Sequence, residues 1–384
     1  MKEDSRGSFR SIVAISISIS LPALMSIGIV LPNYMASMGL SIAAIGYLYS
    51  IRAVVRALTR LLYGAVQAKF PSEKSLFIGM LVRCLAFYIL FTASNTALIA
   101  TGILVLAVSE GLIEVTFLSA TAQALTDTAA TALGFGLALS IRQSPTIIAP
   151  VLTGYIADFI GLGNVFAIAS ILSLTSALIS LKIQVDGQIR RKEIGHSMRS
   201  FRRILNKKFT LLLIATSIFF ASISSFQPVF SYWIINEMKL SYAILGLIVS
   251  IGSFIALFSR IYTGYLADRF GCINILILVG FLRSILVLML PLSNNAWIIA
   301  SIYALRRSIM AAPPRNALIA NMFPPEHYGL AYGLIGASID IGRIIGPAIT
   351  GLIIDSYGFH MGFIFMAILL ALFSLAMLIL KSIA

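Results

Sequence analysis

Long apolar stretches alternate with short polar connections along the whole chain. Crossing the hydrocarbon core of a bilayer takes about 20 mainly apolar residues in a helix. Twelve stretches meet that length: 11–33, 42–66, 75–94, 97–122, 132–156, 164–184, 209–235, 242–266, 273–292, 296–320, 329–354 and 361–380. Most connections are short, so sequential neighbours form antiparallel hairpins. One connection is long and basic, running from Asp186 to Lys208. It divides the chain into a six-helix half at 1–185, a cytoplasmic linker at 186–208 and a second six-helix half at 209–384. The expected fold is therefore an all-α integral membrane protein of 12 transmembrane helices in two six-helix bundles. The first stretch is too long for a signal peptide and no small-residue cleavage site precedes it, so it is expected to be a retained span.

Lys and Arg set the orientation. With the N-terminus inside, the inner segments carry Lys2, Arg6, Arg10, Lys69, Lys74, eight residues of the central linker, Arg269 and Lys381, whereas the outer loops carry only Lys239. This asymmetry places both termini and the linker in the cytoplasm of a multi-pass protein of the cell membrane. Within the linker, Met198, Phe201 and Leu205 recur at helical spacing among Arg199, Arg202, Arg203, Lys207 and Lys208. That pattern fits a basic amphipathic helix on the anionic inner leaflet.

The two halves repeat. At an offset of 200, Arg60, Gly64, Arg83 and Asn95 match Arg260, Gly264, Arg283 and Asn295. At an offset of 197, Leu133, Gly136, Pro150, Thr153, Gly154, Asp158, Gly161 and Phe166 match Leu330, Gly333, Pro347, Thr350, Gly351, Asp355, Gly358 and Phe363. Paired Arg, Asp, Pro and Gly in one register are far less frequent by chance than paired Leu or Ile. Because each half has an even number of spans, the repeats run parallel about an axis along the membrane normal.

Composition narrows the function classes. Of 384 residues, 59% are hydrophobic and only 11% charged, against roughly 25% charged in soluble domains. Mean hydropathy is +0.98. A water-soluble enzyme is excluded. The net charge of +14 sits beside or within apolar segments, so no nucleic-acid partner is implied. Cys84 and Cys272 provide no disulfide framework, and His196, His327 and His360 fall in connections, which leaves no metal site and no cofactor to expect. A monomer surrounded by lipid and handling a small molecule is expected.

The connection after span eight reads GYLADRFG, Gly264 to Gly271. It resembles the signature loop of the major facilitator superfamily, G-x-L-a-D-R-x-G. The resemblance implies two bundles exposing a central site alternately to each side, with Gly264, Asp268, Arg269 and Gly271 acting in the cytoplasmic latch. The first-half equivalent, GAVQAKFP, has Ala68 in place of the aspartate and Pro71 in place of the second glycine. Span eleven contains GRIIGPAITG and span five SPTIIAPVLTG. Both resemble the family's Gly-Pro motif, which implies helix bending at Pro150 and Pro347 and close approach at Gly154, Gly346 and Gly351. Ala149 stands where the antiporter form of that motif has glycine. PPEHYGLAYG, Pro324 to Gly333, resembles the family's loop before span eleven.

Charged residues inside spans are costly and face a cavity or a partner. Span two holds Arg52, Arg56 and Arg60 at spacings of four, which puts them on one helical face. Span four holds Glu110 and Glu114, span five Arg142, span ten Arg306 and Arg307, and span eleven Asp340 and Arg343. Counting along the hairpins brings Glu114, Arg142, Arg52 and Arg306 near mid-membrane. A central cluster drawn from both halves is expected, with a Glu114–Arg142 ion pair as its structural alternative. Arg60 and Arg83, repeated as Arg260 and Arg283, read as structural. The arginine surplus points to an organic or phosphorylated anion as substrate of a secondary transporter. Proton coupling would use Glu110, Glu114 or Asp340. The alternatives are efflux of drug-like or hydrophobic compounds and, from a different class, a membrane-embedded lipid enzyme.

Overall fold

The computed structural model describes residues 13–67, 70–124, 138, 140–183, 205–324 and 327–383, without the side chains of 122–124, 260, 261 and 329. The N-terminal basic residues, most of the linker with its amphipathic pattern, Lys69, Leu133, Gly136 and the side chain of Arg260 lie outside the described residues. No strand occurs among the described residues. The helices are α1 (13–20), α2 (Ile27–Ser37), α3 (Ile42–Val66), α4 (Ser72–Thr92), α5 (Thr96–Ala124), α6 (Pro145–Ile160), α7 (Leu162–Ser180), α8 (Lys207–Tyr232), α9 (Tyr242–Phe270), α10 (Cys272–Met289), α11 (Ala296–Ser308), α12 (Ala312–Met322) and α13 (Tyr328–Ile383).

Eight helices are individually long and apolar enough to cross a membrane among the described residues, and one of them, Leu330–Ile383, covers both spans eleven and twelve. The other three spans are accounted for by their local chemistry. Span five begins before the described part of α6. Span one is not the continuous helix expected over 11–33: α1 stops ahead of Pro22, a short 3-10 turn follows at Pro22–Leu24, and α2 starts at Ile27. Leu21 keeps helical backbone (φ −55°, ψ −52°) and donates to the Ile17 carbonyl at 3.1 Å, so the helical path is lost at Met25, which is extended (φ −95°, ψ 108°). The freed Ser26 N–H donates to Thr153 Oγ1 at 2.7 Å, which meets the requirement that backbone polar groups in lipid be satisfied inside the protein. Span ten is likewise not continuous over 296–320. It breaks at Ile309, which is extended (φ −87°, ψ 100°), and resumes at Ala312 with Pro313 and Pro314 in its opening turn. Proline suits that position, where the N–H has no partner within the helix.

Glycines turn three of the corners between spans. Gly161, Gly271 and Gly358 all have φ between +82° and +89°, a region where a side chain is strained. Gly358 lets α13 carry two antiparallel spans with no loop between them (φ 82°, ψ 172°).

The described residues form two compact units. The first lies within Met1–Leu40, Ile51–Lys192 and Leu240–Leu247; the second lies within Ser41–Ser50, Glu193–Lys239 and Ile248–Ala384. In the first, α4 packs along both α5 and α7. Ile15 and Ile19 of α1 join Leu76, Met80, Ile113, Phe117 and Ala177 in one apolar cluster. In the second, α8 and α10 both pack along α13. Serines tie these helices: Ser222 donates to the Met366 carbonyl at 2.9 Å, Ser284 to Ala367 at 2.8 Å and Ser374 to Ile277 at 2.7 Å. Small residues and hydroxyls are the usual adhesive where lipid removes the hydrophobic drive between helices. Large apolar side chains such as Phe159, Leu62 and Trp297 remain exposed, as a lipid-facing surface requires.

Candidate functional site

In the first unit the four-residue spacing on α3 meets a four-residue spacing on α5. Arg52 donates from its guanidinium to both oxygens of Glu110, with Nε at 3.3 Å from Oε2. One turn on along α5, and two turns on along α3, Arg60 lies 3.7 Å from Glu114. Between these rungs Gly111 brings the helices together: a Cβ there would meet Thr59 and the Arg56 carbonyl. Arg56 is within electrostatic reach of Glu110. Arg83 on α4 is within electrostatic reach of Glu110, Arg142 and Arg52, and among the described residues its Nε has no hydrogen-bond partner. Arg142 places its guanidinium carbon 4.7 Å from the centre of the Phe117 ring and senses both Glu114 and Glu110. Glu114 thus has Arg60 as its close ion-pair partner, while Arg142 packs on an aromatic face.

The second unit holds its own cluster. Arg306 is only 4% exposed, and its guanidinium carbon lies 3.2 Å from the centre of the Phe226 ring. Among the described residues its charged neighbours are Arg283 and Arg307, and its Nε has no hydrogen-bond partner. Phe226 stacks on Phe230 and Phe230 on Tyr303, and the Tyr303 hydroxyl donates to Gln227 Oε1 at 3.3 Å. Arg283 Nε donates to the Ile309 carbonyl at 2.7 Å, which satisfies the acceptor freed where span ten breaks. Arg343 sits 3.5 Å from Asp340, and Arg315 and Arg343 both lie over Phe220, at 5.4 and 5.7 Å from its centre.

The motif residues occupy helix ends and seams. Gly271 makes the corner after α9 (φ +89°). Asp268 and Arg269 are exposed, with Arg269 over the Phe270 ring at 5.4 Å. Gly264 is not a close-packing point: a Cβ there would be 3.9 Å from Pro313, an ordinary contact. The Gly-Pro segments are tighter. Gly154, one turn after Pro150, abuts the Tyr242 carbonyl. Gly346 abuts the Ala221 carbonyl, and Gly351, one turn after Pro347, abuts Ile42 and Ala43.

Comparison with known proteins decides the family. A model of the Major Facilitator Superfamily matches residues 13–310 and 308–383. The chain belongs to the Major Facilitator Superfamily. Multidrug resistance protein 2 of Bacillus subtilis (strain 168) is 22% identical over 380 residues, covering 93% of this chain and 92% of its own. Multidrug resistance protein MdtG of Proteus mirabilis (strain HI4320) is 26% identical over 233 residues, so that match spans 58% of each chain. Among solved structures, a variant of the nucleoside transporter NupG superposes with a TM-score of 0.81 at 14% identity, over 98% of both chains. At that identity the likeness speaks for the fold alone. As a member of the Major Facilitator Superfamily the chain is a transporter and not an enzyme.

Several contacts of this superfamily member have no signal in the sequence, and Phe226, which reads as an aromatic of the interfacial belt, packs on an arginine instead. On span seven Phe226 meets Arg306, Phe220 meets Arg315 and Arg343, and Gln227 accepts from Tyr303 of span ten. Nothing in a run of apolar letters separates an aromatic facing an arginine from one facing lipid. Arg283 was legible as a repeated residue, but its service to the Ile309 carbonyl depends on a helix break that the hydropathy pattern does not register.

Proposed function

We propose that this chain is a secondary active transporter working by alternating access, with a small organic or phosphorylated anion as substrate. Arg306 carries the reading. It is buried, lies on an aromatic ring and has other arginines as its charged neighbours. Cation–π contact with Phe226 offsets part of the cost of holding that charge away from water. Charge balance supports the same substrate. In the first unit Arg52, Arg56, Arg60, Arg83 and Arg142 accompany Glu110 and Glu114; in the second Arg283, Arg306, Arg307, Arg315 and Arg343 accompany Asp340. A mid-membrane arginine costs about 2.5 kcal/mol or more on insertion scales, so a surplus calls for water, aromatic faces or an anion. No Gly-Lys pair occurs, hence no Walker-type phosphate loop, and the energy source is a gradient. If protons supply it, Glu110, Glu114 and Asp340 are the mid-span carboxylates available. The proposal includes two six-helix halves, 1–185 and 209–384, joined by a cytoplasmic linker, in a monomer of the cell membrane.

The names of the relatives favour a second reading, export of drug-like compounds. A thermal-shift panel on the purified protein separates the two, because a ligand that binds the folded form raises its apparent stability. Anions such as phosphate esters and carboxylates should stabilise the wild type, and Arg306→Gln should lose that shift while remaining folded. Stabilisation by lipophilic cations alone would overturn the anion reading in favour of drug export.

A further inference from the structure

The repeated Asp158 and Asp355 fall at related places in the two halves, yet they make different contacts. In the first unit, the carboxylate of Asp158 accepts the N–H groups of Tyr242 at 3.0 Å and Ala243 at 2.8 Å. These are the first two residues of α9. Ser241 completes the cap, accepting the Ile244 N–H at 3.3 Å through its hydroxyl. The orphan N–H groups of Tyr242, Ala243 and Ile244 are thereby taken, and a negative charge sits at the positive end of the helix. The backbones touch beside it. Gly154 abuts the Tyr242 carbonyl and Gly246 abuts the Pro150 carbonyl, so α6 and the opening turns of α9 share a seam without side chains between them.

In the second unit the same seam forms without the carboxylate. Gly351 abuts Ile42 and Ala43, and Gly46 abuts the Pro347 carbonyl. Ser41 caps the Ala44 N–H at 3.2 Å, as Ser241 caps Ile244. Among the described residues, however, Asp355 makes no hydrogen bond to Ile42 or Ala43. An open cavity of about 500 Å³ lies there, lined by Ser41, Ile42, Asp355, Glu237 and His360 among others. The repeat thus presents one seam with its carboxylate engaged and one with its carboxylate disengaged.

We propose that Asp158 is a latch residue: its bonds to the Tyr242 and Ala243 N–H groups hold the α6–α9 seam shut, and must release for that seam to open during transport. The inference rests on the transporter reading and on the orientation with both termini in the cytoplasm, which puts this seam at the outer membrane face. It assigns the repeated aspartate a task distinct from substrate binding, since Asp158 is exposed and stands apart from the arginine clusters in sequence and in contacts.

The test reads accessibility and needs no substrate. Val151 lies in the seam against Gly246, so Val151→Cys, in a chain with Cys84→Ser and Cys272→Ser, reports its opening. A membrane-impermeant maleimide is added to either side of sealed vesicles. Asp158→Ala should raise the outside labelling rate about fivefold, the population change expected for a lost helix cap. Asp158→Asn, which keeps one acceptor but no charge, should fall between, and it serves in place of alanine if that variant does not fold. Asp355→Ala should leave labelling at 151 unchanged. Equal rates in wild type and in folded Asp158 variants would overturn the latch, as would an equal rise in Asp355→Ala. Labelling that rises only from the cytoplasmic side would keep the latch and overturn the orientation.

Discussion

Arg52 and Glu110 form the most complete ion pair in the molecule's described interior, with two donor groups on two oxygens and each side chain about 20% exposed. A hydrogen bond to a charged group contributes about 1.5–3 kcal/mol. Glu110→Gln and Arg52→Gln should therefore each lower the melting temperature in detergent, and the double variant should lose less than their sum. A coupling energy of about 1 kcal/mol or more in that double-mutant cycle is the expected result, and additivity would show that the pair contributes nothing jointly. The spacing of these residues was legible in the chain, because four-residue intervals on two neighbouring spans can only face one another along one stripe each. The partner of each was less legible. Glu114 is as many residues from the connection as Arg142, which suggests that pair, but its close partner is Arg60, two turns beyond Arg52 on α3, while Glu114 is one turn beyond Glu110 on α5.

At the scale of elements, hydropathy marks where a span is and says little about its continuity. Spans one and ten read as unbroken because Pro22, Pro313 and Pro314 are tolerated within apolar runs. At each break a side chain of another span meets a freed backbone group, Thr153 from 127 residues away and Arg283 from 26. The glycines of the seams behave similarly. The signature glycine Gly264 has room beside it, whereas Gly246, outside any recognised motif, lies against the Pro150 carbonyl. Alanine at 246 should therefore cost more than alanine at 264. Overpacking of this kind typically costs about 1–3 kcal/mol, so Gly246→Ala should unfold several degrees earlier while Gly264→Ala stays near the wild type. Equal melting points would show that the α6–α9 seam yields without cost.

For the whole molecule, the family, the helical class and the twelve spans were all readable from apolar length, the internal repeat and GYLADRFG. Which opening turns associate with which unit was not. Ser41–Ser50 belongs with the second unit and Leu240–Leu247 with the first, through backbone contacts at Gly46 and Gly246 that leave no signature in hydropathy. The orientation is an electrostatic inference that sealed vesicles can check. A protease site placed in the linker at 186–208 should be cut in inside-out vesicles and protected in right-side-out ones. The reverse pattern would invert the topology and move the Asp158 seam to the cytoplasmic face.

The bond from the Ser26 N–H to Thr153 also bears on how the chain is made. Its two ends are 127 residues apart. At a synthesis rate of roughly 5–20 residues per second, the acceptor leaves the ribosome roughly 6–25 seconds after the donor. Throughout that interval the Ser26 N–H has no Thr153 hydroxyl to bond, and in lipid a backbone donor cannot be left unmet. Span one consequently acquires its final shape only when the fifth span arrives beside it; until then lipid headgroups, water or the insertion machinery must meet its free donor.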